Sequence, residues 1–250
     1  MFFIRHPNLF ILKKPICIRL GSNYGGWWVI PWGLSEDTKI LSLGAGEDIS
    51  FDIELVNKFN CCVNIYDPTK RAIDHFSQIK KNYGKESFRS YTDHGSQPVE
   101  AYPLEKLVNQ ISFIKQAVWV HSGTIKFYKP ENPAHVSHSI IQSKTNLEHE
   151  IVKCVDILEI PIQKFNIIKL DIEGAEVQVI SRLLESVDKK HLPNQVLIEL
   201  DKFKEPTFSN FFELIKFNDL MLIKGFNLLK REKYNFTYYR KSSTNSLEKI

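Results

Sequence analysis

An α/β fold, with a largely parallel sheet covered by helices on both faces and closed by an antiparallel hairpin, is what this chain of 250 residues predicts. Three observations carry that expectation. From Lys39 onward, short apolar strand-like runs alternate with segments of helical periodicity. The first run ends in Gly44-Ala45-Gly46, and the next ends about twenty residues later in an acid, Asp67, the layout of a nucleotide-type cofactor site. The last two runs, Phe226 to Lys230 and Asn235 to Tyr239, are joined by so few residues that they must pair as a hairpin.

The elements follow in order. Residues 1–33 read as an arm whose Gly21-Ser-Asn-Tyr-Gly25-Gly26-Trp27-Trp28 stretch is a turn followed by two large aromatics that need cover, either over a pocket or on a sheet edge. Strands are expected at Ile40 to Leu43, Val63 to Tyr66, Ile111 to Trp119, Thr124 to Tyr128, Phe165 to Leu170 and Gln195 to Leu200, besides the hairpin. Helices are expected from Asp52 to Phe59, Thr69 to Asn82, Gly174 to Ser186 and Phe208 to Ile223. In the second of these, Ala72, Ile73, Phe76 and Ile79 form a core-facing stripe. Lys85 to Tyr102 and Lys129 to Glu150 read as long loops of the kind that carry function, the latter with His135, Ser137, His138 and Ser139. One domain spans 34–241, and the polar end, 242–250, is expected to be disordered.

Charge and cysteines narrow the function classes. A formal net charge of +4 leaves no strong footprint for nucleic acid. Cys17, Cys61, Cys62 and Cys154 lack metal-ligand spacing and read as reduced thiols of a cytoplasmic protein. The apolar residues near the N-terminus are split by Arg5, His6 and Pro7, so neither a signal peptide nor a membrane span is expected.

The chemistry lies in two constellations. Gly44 and Gly46 allow a sharp turn and close approach to a ligand, and Asp67 is placed to accept hydrogen bonds from two ribose hydroxyls. A dinucleotide site needs a third glycine where this chain has Ile49, and the carboxylates of Glu47 and Asp48 would repel a pyrophosphate. They suit a ligand with ammonium and sulfonium groups, which favours S-adenosylmethionine over NAD; the plainer reading is that they complement a helix dipole. In the second constellation, an apolar strand delivers Lys169, Asp171 and Glu173 to its C-terminal edge. Lys169 must pair with one of those acids or reach the site, because an unpaired buried ammonium is costly. Asp171, Glu173, Lys169 and His138 are the candidates for proton removal or positioning on the acceptor side, and no metal site is expected. The alternatives are an NAD-type Rossmann oxidoreductase, or a non-catalytic cofactor-binding partner subunit.

Taken together, Tyr24-Gly-Gly-Trp27, Leu43-Gly-Ala-Gly-Glu-Asp48 with Phe51-Asp52, Tyr66-Asp-Pro-Thr69 and Lys169-Leu-Asp-Ile-Glu-Gly-Ala-Glu176 resemble the FkbM-type methyltransferase family over Asn23 to Asp201. The resemblance implies a Rossmann-like seven-stranded class I methyltransferase sheet with a reversed last strand. It also implies S-adenosylmethionine as donor and, usually, O-methylation of a hydroxyl on a sugar, glycan or secondary metabolite. It assigns Gly44, Gly46, Glu47 and Asp48 to the cofactor turn, Asp67 to the ribose, and Gln116 with Ala117 to the neighbourhood of the adenine. The acceptor is then a small molecule or carbohydrate, with no nucleic acid and no membrane span involved.

Overall fold

The structure is a computed structural model, described here for residues 15–128, 148–204 and 207–240. The arm forms a two-stranded antiparallel ribbon of β1 (Ile18–Leu20) and β2 (Trp27–Val29). The central sheet then builds through β3 (Lys39–Leu43), β4 (Cys62–Tyr66) and β5 (Ile111–Ile114), with α1 (Ser50–Phe59) and α2 (Lys70–Lys81) as crossovers. A small sheet follows, made of β6 (Ala117–Trp119), β7 (Gly123–Tyr128) and β8 (His149–Asp156) in the order β6-β8-β7. The chain returns to the central sheet with β9 (Ile167–Leu170), α3 (Glu176–Ser186), β10 (Gln195–Glu199), α4 (Phe208–Ile223), β11 (Phe226–Glu232) and β12 (Asn235–Arg240).

The central sheet has seven strands in the order β11-β12-β10-β9-β3-β4-β5. All its pairings from β10 to β5 are parallel, while β12 runs antiparallel to both β10 and β11. This is the Rossmann-like sheet with a reversed last strand. The order reverses at β3, whose neighbours are β4 on one side and β9 on the other, so the ends of β3 and β9 open a crevice. One face is packed by α3 and α4 around Leu41, Ile168, Ile180 and Met221. The other is packed by α1, α2 and the arm, with Trp27, Ile40, Phe51 and Phe76 in its core.

Several elements differ from the sequence expectation, four of them in ways that bear on the site and the core. The single strand expected over Ile111 to Trp119 is two, because a tight turn in which Gln116 N donates to Ile114 O (2.9 Å) swings β6 out of the central sheet to pair with β8. Strand β8 was not expected, and its first residues, His149 and Glu150, fall in what reads as loop; its polar residues and weak burial alternation hide it. Helix α3 starts two residues late because Glu173 (φ +57°) and Gly174 (φ +95°) hold a left-handed turn before it. In α2, His75 rather than Ile73 takes the buried position beside Ala72, Phe76 and Ile79. Its imidazole Nε2 lies 3.0 Å from the Tyr102 hydroxyl, a partner inside the core that no periodicity shows. The expected tail at 242–250 and the loop His135 to Ser139 lie outside the described residues.

Candidate active site

The ends of β3 and β9 are pressed together at the crevice. Gly44 (φ +83°) follows β3, and a Cβ there would come within 1.7 Å of the Asp171 carbonyl oxygen, so the closeness of the two strand ends requires glycine. The Gly44 amide donates to Tyr66 O (3.0 Å) and the Asp171 amide to Leu43 O (2.9 Å), which continues the ladder to the last residue before each turn.

Asp67 organises the glycine turn. One carboxylate oxygen accepts from the amides of Ala45 (2.9 Å) and Gly46 (3.0 Å), and the other from the amide (2.8 Å) and hydroxyl (2.6 Å) of Thr69. These four bonds match the acceptor capacity of an ionised carboxylate. Asp67 therefore clamps the end of β4 to the turn after β3, a role the ribose reading does not contain.

The two acids after the glycines have separate partners. Glu47 meets the guanidinium of Arg71 through Nη2 (2.7 Å) and Nε (3.2 Å). Partial burial pushes its pKa up, but the Arg71 hydrogen bond and charge outweigh that and hold it below the usual value. Asp48 is buried and accepts from Ser22 Oγ (2.6 Å), Gln97 Nε2 (3.1 Å) and the Ser50 amide (3.0 Å). Ser22 in turn accepts from the amides of Tyr24 (3.2 Å) and Gly25 (2.8 Å), so Asp48 ties the arm to the glycine turn.

Lys169 lies inside the sheet, 3 % exposed, with Ser42 of β3 and Leu197 of β10 beside it in register. Its ammonium donates to Gly44 O (2.9 Å), pairs with Asp171 (3.4 Å) and sits 5.6 Å from the centre of the Trp27 ring. Burial alone would lower its pKa, but the carboxylates of Asp171 and Asp52 raise it above the ordinary value, so the side chain is a cation. Asp52, on α1, is almost fully enclosed; burial raises its pKa to about 6 against the pull of Lys169 and Ser42. The turn after Asp171 is held from behind by Glu176, whose Oε1 accepts from the amides of Ile172 (2.9 Å) and Gly174 (3.0 Å). Its second oxygen has no partner among the described residues, and burial raises its pKa to about 8.

These turns border a cleft of about 760 Å³ that takes in the arm, the loop at Asp93 to Gly95, the small sheet and the β11–β12 turn. Gly44, Gly46, Glu47, Asp48, Asp67, Ala117, Asp171 and Glu173 all line it. Gln116 and Lys169 are not among the lining residues, and Lys169 acts from beneath through Asp171 and Gly44. His138 lies outside the described residues. Sequence reasoning missed Glu199, Lys204 and the Glu232 to Asn235 turn, which close the far side. An acid ending β10 is the signal that points to Glu199, whereas the hairpin turn reaches the cleft only through the reversed strand. Tyr24 stands across the opening, with its ring against Gly95, where a Cβ would come within 2.9 Å. Among the described residues no group of His, Cys, Asp and Glu side chains is arranged for a metal ion, and no helix is long and apolar enough to cross a membrane.

The residues fit S-adenosylmethionine by chemistry and by room. Acids line the glycine-turn wall, Ala117, Val118 and Phe127 offer an apolar patch for a heterocycle, and the volume falls within the range usual for small-molecule and cofactor sites, about 300–1,000 Å³.

Residues 36–228 match the methyltransferase FkbM domain family. No curated protein matches the chain. Among solved structures, a methyltransferase FkbM from Methylobacillus flagellatus is similar at 13% identity and a TM-score of 0.46, covering 81% of this chain and 44% of its own. The chain thus spans less than half the length of that protein. A precorrin-6y C5,15-methyltransferase from Geobacter metallireducens is similar at 9% identity and a TM-score of 0.40, over 83% of this chain and 82% of its own. The M. jannaschii protein TYW2, in complex with AdoMet, is similar at 10% identity and a TM-score of 0.37, over 92% of this chain and 89% of its own.

Proposed function

The chain belongs to the FkbM methyltransferase domain family, whose methyl donor is S-adenosylmethionine, and from that premise we propose that it methylates a hydroxyl oxygen of a sugar, glycan or secondary metabolite. The observation that carries this is the meeting, in one cleft, of the glycine turn after β3 and the carboxylates of Asp171 and Glu173 after β9. Gly44 to Asp48, with Asp67 behind them and Ala117 opposite, would hold the cofactor. Asp67 supports the site by fixing the amides of Ala45 and Gly46, and so shapes the turn on which the cofactor would rest.

When bound, the cofactor supplies an electrophilic methyl group on a cationic sulfur. The protein's part is alignment, for which about 7–11 kcal/mol is available from proximity, and removal of the hydroxyl proton, for which a positioned base contributes roughly two to four powers of ten. Asp171 and Glu173 line the cleft and are the bases proposed for that proton. Lys169 fixes Asp171 from beneath, and the left-handed turn at Glu173 is fixed by Glu176, so both carboxylates stand on rigid supports. Such a conformation at a non-glycine residue costs energy and is often kept where it serves a site.

The test is incubation with methyl-labelled S-adenosylmethionine and a panel of glycosides, hydroxylated metabolites and cell extracts. The expected product carries label as a methyl ether. Label found on nitrogen or carbon would overturn the O-methylation reading.

A further inference from the structure

Helix α4 is apolar on the side that faces away from the protein. Its buried residues are Phe217, Asn218 and Met221, with Leu214 and Leu220 packed beside them, which commits one face to the core. Spacings of three and four put Phe208, Phe211, Phe212, Ile215, Leu222 and Ile223 on the opposite face. There Phe208 is 87 %, Phe212 59 % and Ile223 72 % exposed, so bulky side chains of one helix stand in water. The stripe leaves on the order of 500 Å² of apolar surface, the size of patch that marks an interaction site. Two charges sit among these residues. Asp219 falls in the middle of the stripe and Lys216 at its border; both are exposed, and neither side chain has an ion-pair or hydrogen-bond partner among the described residues. The charged groups around them are already engaged, Lys202 with Glu213 (2.6 Å) and Lys224 with Val187 O (3.3 Å).

The acid decides what can cover the stripe. A lipid surface or a wholly apolar partner would bury the Asp219 carboxylate without a counter-charge, at a high cost in lost hydration. The occupant that fits presents an apolar face with a cation near its middle, and α4 is itself such a face. We propose that α4 docks on the α4 of a second copy of this chain, the two helices lying antiparallel about a two-fold axis. Positions that face each other in an antiparallel pair have a constant sum, so setting Lys216 opposite the partner's Asp219 also puts Phe212 opposite the partner's Ile223. Two-fold symmetry then makes each contact twice. At a partly exposed interface the two charge pairs add little affinity, and their part is to fix register and direction. A helix of 16 residues is about 24 Å long, so the pair buries less than a standard interface and the dimer forms and dissociates with concentration. No residue of α4 lines the cleft, which keeps association separable from methyl transfer.

Sedimentation velocity on the full chain, from about 2 to about 200 µM, tests this. The expected result is a reversible shift from the mass of one chain toward that of two as concentration rises. Phe212→Glu, at an exposed position, is expected to weaken association at least about tenfold while keeping the wild-type melting temperature. Lys216→Asp and Asp219→Lys are each expected to weaken it about threefold or more, because each sets like charges face to face, and the two together are expected to restore it. That charge exchange decides the matter if Phe212→Glu does not fold. The mass of one chain at every concentration overturns the proposal, and so does a dimer that either Phe212→Glu or the single charge changes leave unaltered. Flotation with vesicles of phosphatidylcholine and phosphatidylserine completes the test: binding that Phe212→Glu abolishes, from a chain that stays monomeric, gives the stripe to a membrane and overturns the proposal as well.

Discussion

At the scale of single residues, the same carboxylate can serve the fold and the ligand, and variants must separate the two. Asp67→Ala removes the acceptor from four donors, among them the amides of Ala45 and Thr69. Leaving buried donors unsatisfied costs about 1–3 kcal/mol each, so this variant is expected to lose on the order of 2 kcal/mol of stability or more, together with cofactor affinity. Urea unfolding and calorimetry on one preparation check it, and an unchanged unfolding midpoint would show that Asp67 does not hold the turn. The two acids of the acceptor side divide in a similar way. Asp171→Asn withdraws a charge partner from buried Lys169 and is expected to lower both stability and turnover. Glu173→Gln leaves that pair alone and, as the proposed base, is expected to lose about a hundredfold or more in turnover while the fold is kept. Full turnover per folded molecule in both variants would end their assignment as bases.

At the scale of elements, the turn between β9 and α3 is governed from the first turn of the helix. Glu176 keeps its proton in the folded protein up to about pH 8, whereas an unfolded chain releases it near the ordinary carboxyl value. The folded state then binds more protons, so this contribution is fully present below the unfolded pKa and is lost as pH rises through about 8. Asp52 behaves the same way with a folded value of about 6, which confines its share to lower pH. His75, its pKa lowered by burial, contributes with the opposite sign, its share growing as pH rises into the ordinary histidine range. Glu176→Gln keeps an acceptor oxygen for Ile172 and Gly174, and is expected to flatten the decline in melting temperature from about pH 4.5 to about 8, most plainly above about pH 6, where the share of Asp52 has ended. Parallel slopes for wild type and variant across that window would remove Glu176 as its source. The sequence shows Glu176 as one more acid at a helix start, and its burial becomes visible only when the turn folds back over it.

At the scale of the whole molecule, the arm joins the sheet and the cleft into one structure. Trp27 is 2 % exposed, the Ile30 backbone exchanges two hydrogen bonds with the side-chain amide of Gln195 (2.8 and 3.0 Å), and the Thr237 hydroxyl donates to Trp28 O (2.9 Å), while Asn23 to Trp27 form part of the cleft wall. Trp27→Ala is expected to cost about 3–5 kcal/mol and to weaken cofactor binding, with the described elements still unfolding in one transition. Separate transitions for arm and sheet, or wild-type affinity in that variant, would contradict this coupling. The sequence alone determined the α/β alternation, the glycine turn, the strand-end acids and the closing hairpin, because each is written in local periodicity or in residues that few conformations accept. It set Phe208 to Ile223 as a helix with both ends correct, and it required a partner for Lys169 on the cost of an unpaired buried charge. Tertiary structure decided the rest. The split of β5 from β6, the strand β8, the clamp made by Asp67 and the tie from Asp48 to Ser22 all depend on which segments meet across the sheet. The direction of a carboxylate is set by donors up to dozens of residues away, and one sequence read along its length contains the acids but not the groups that surround them.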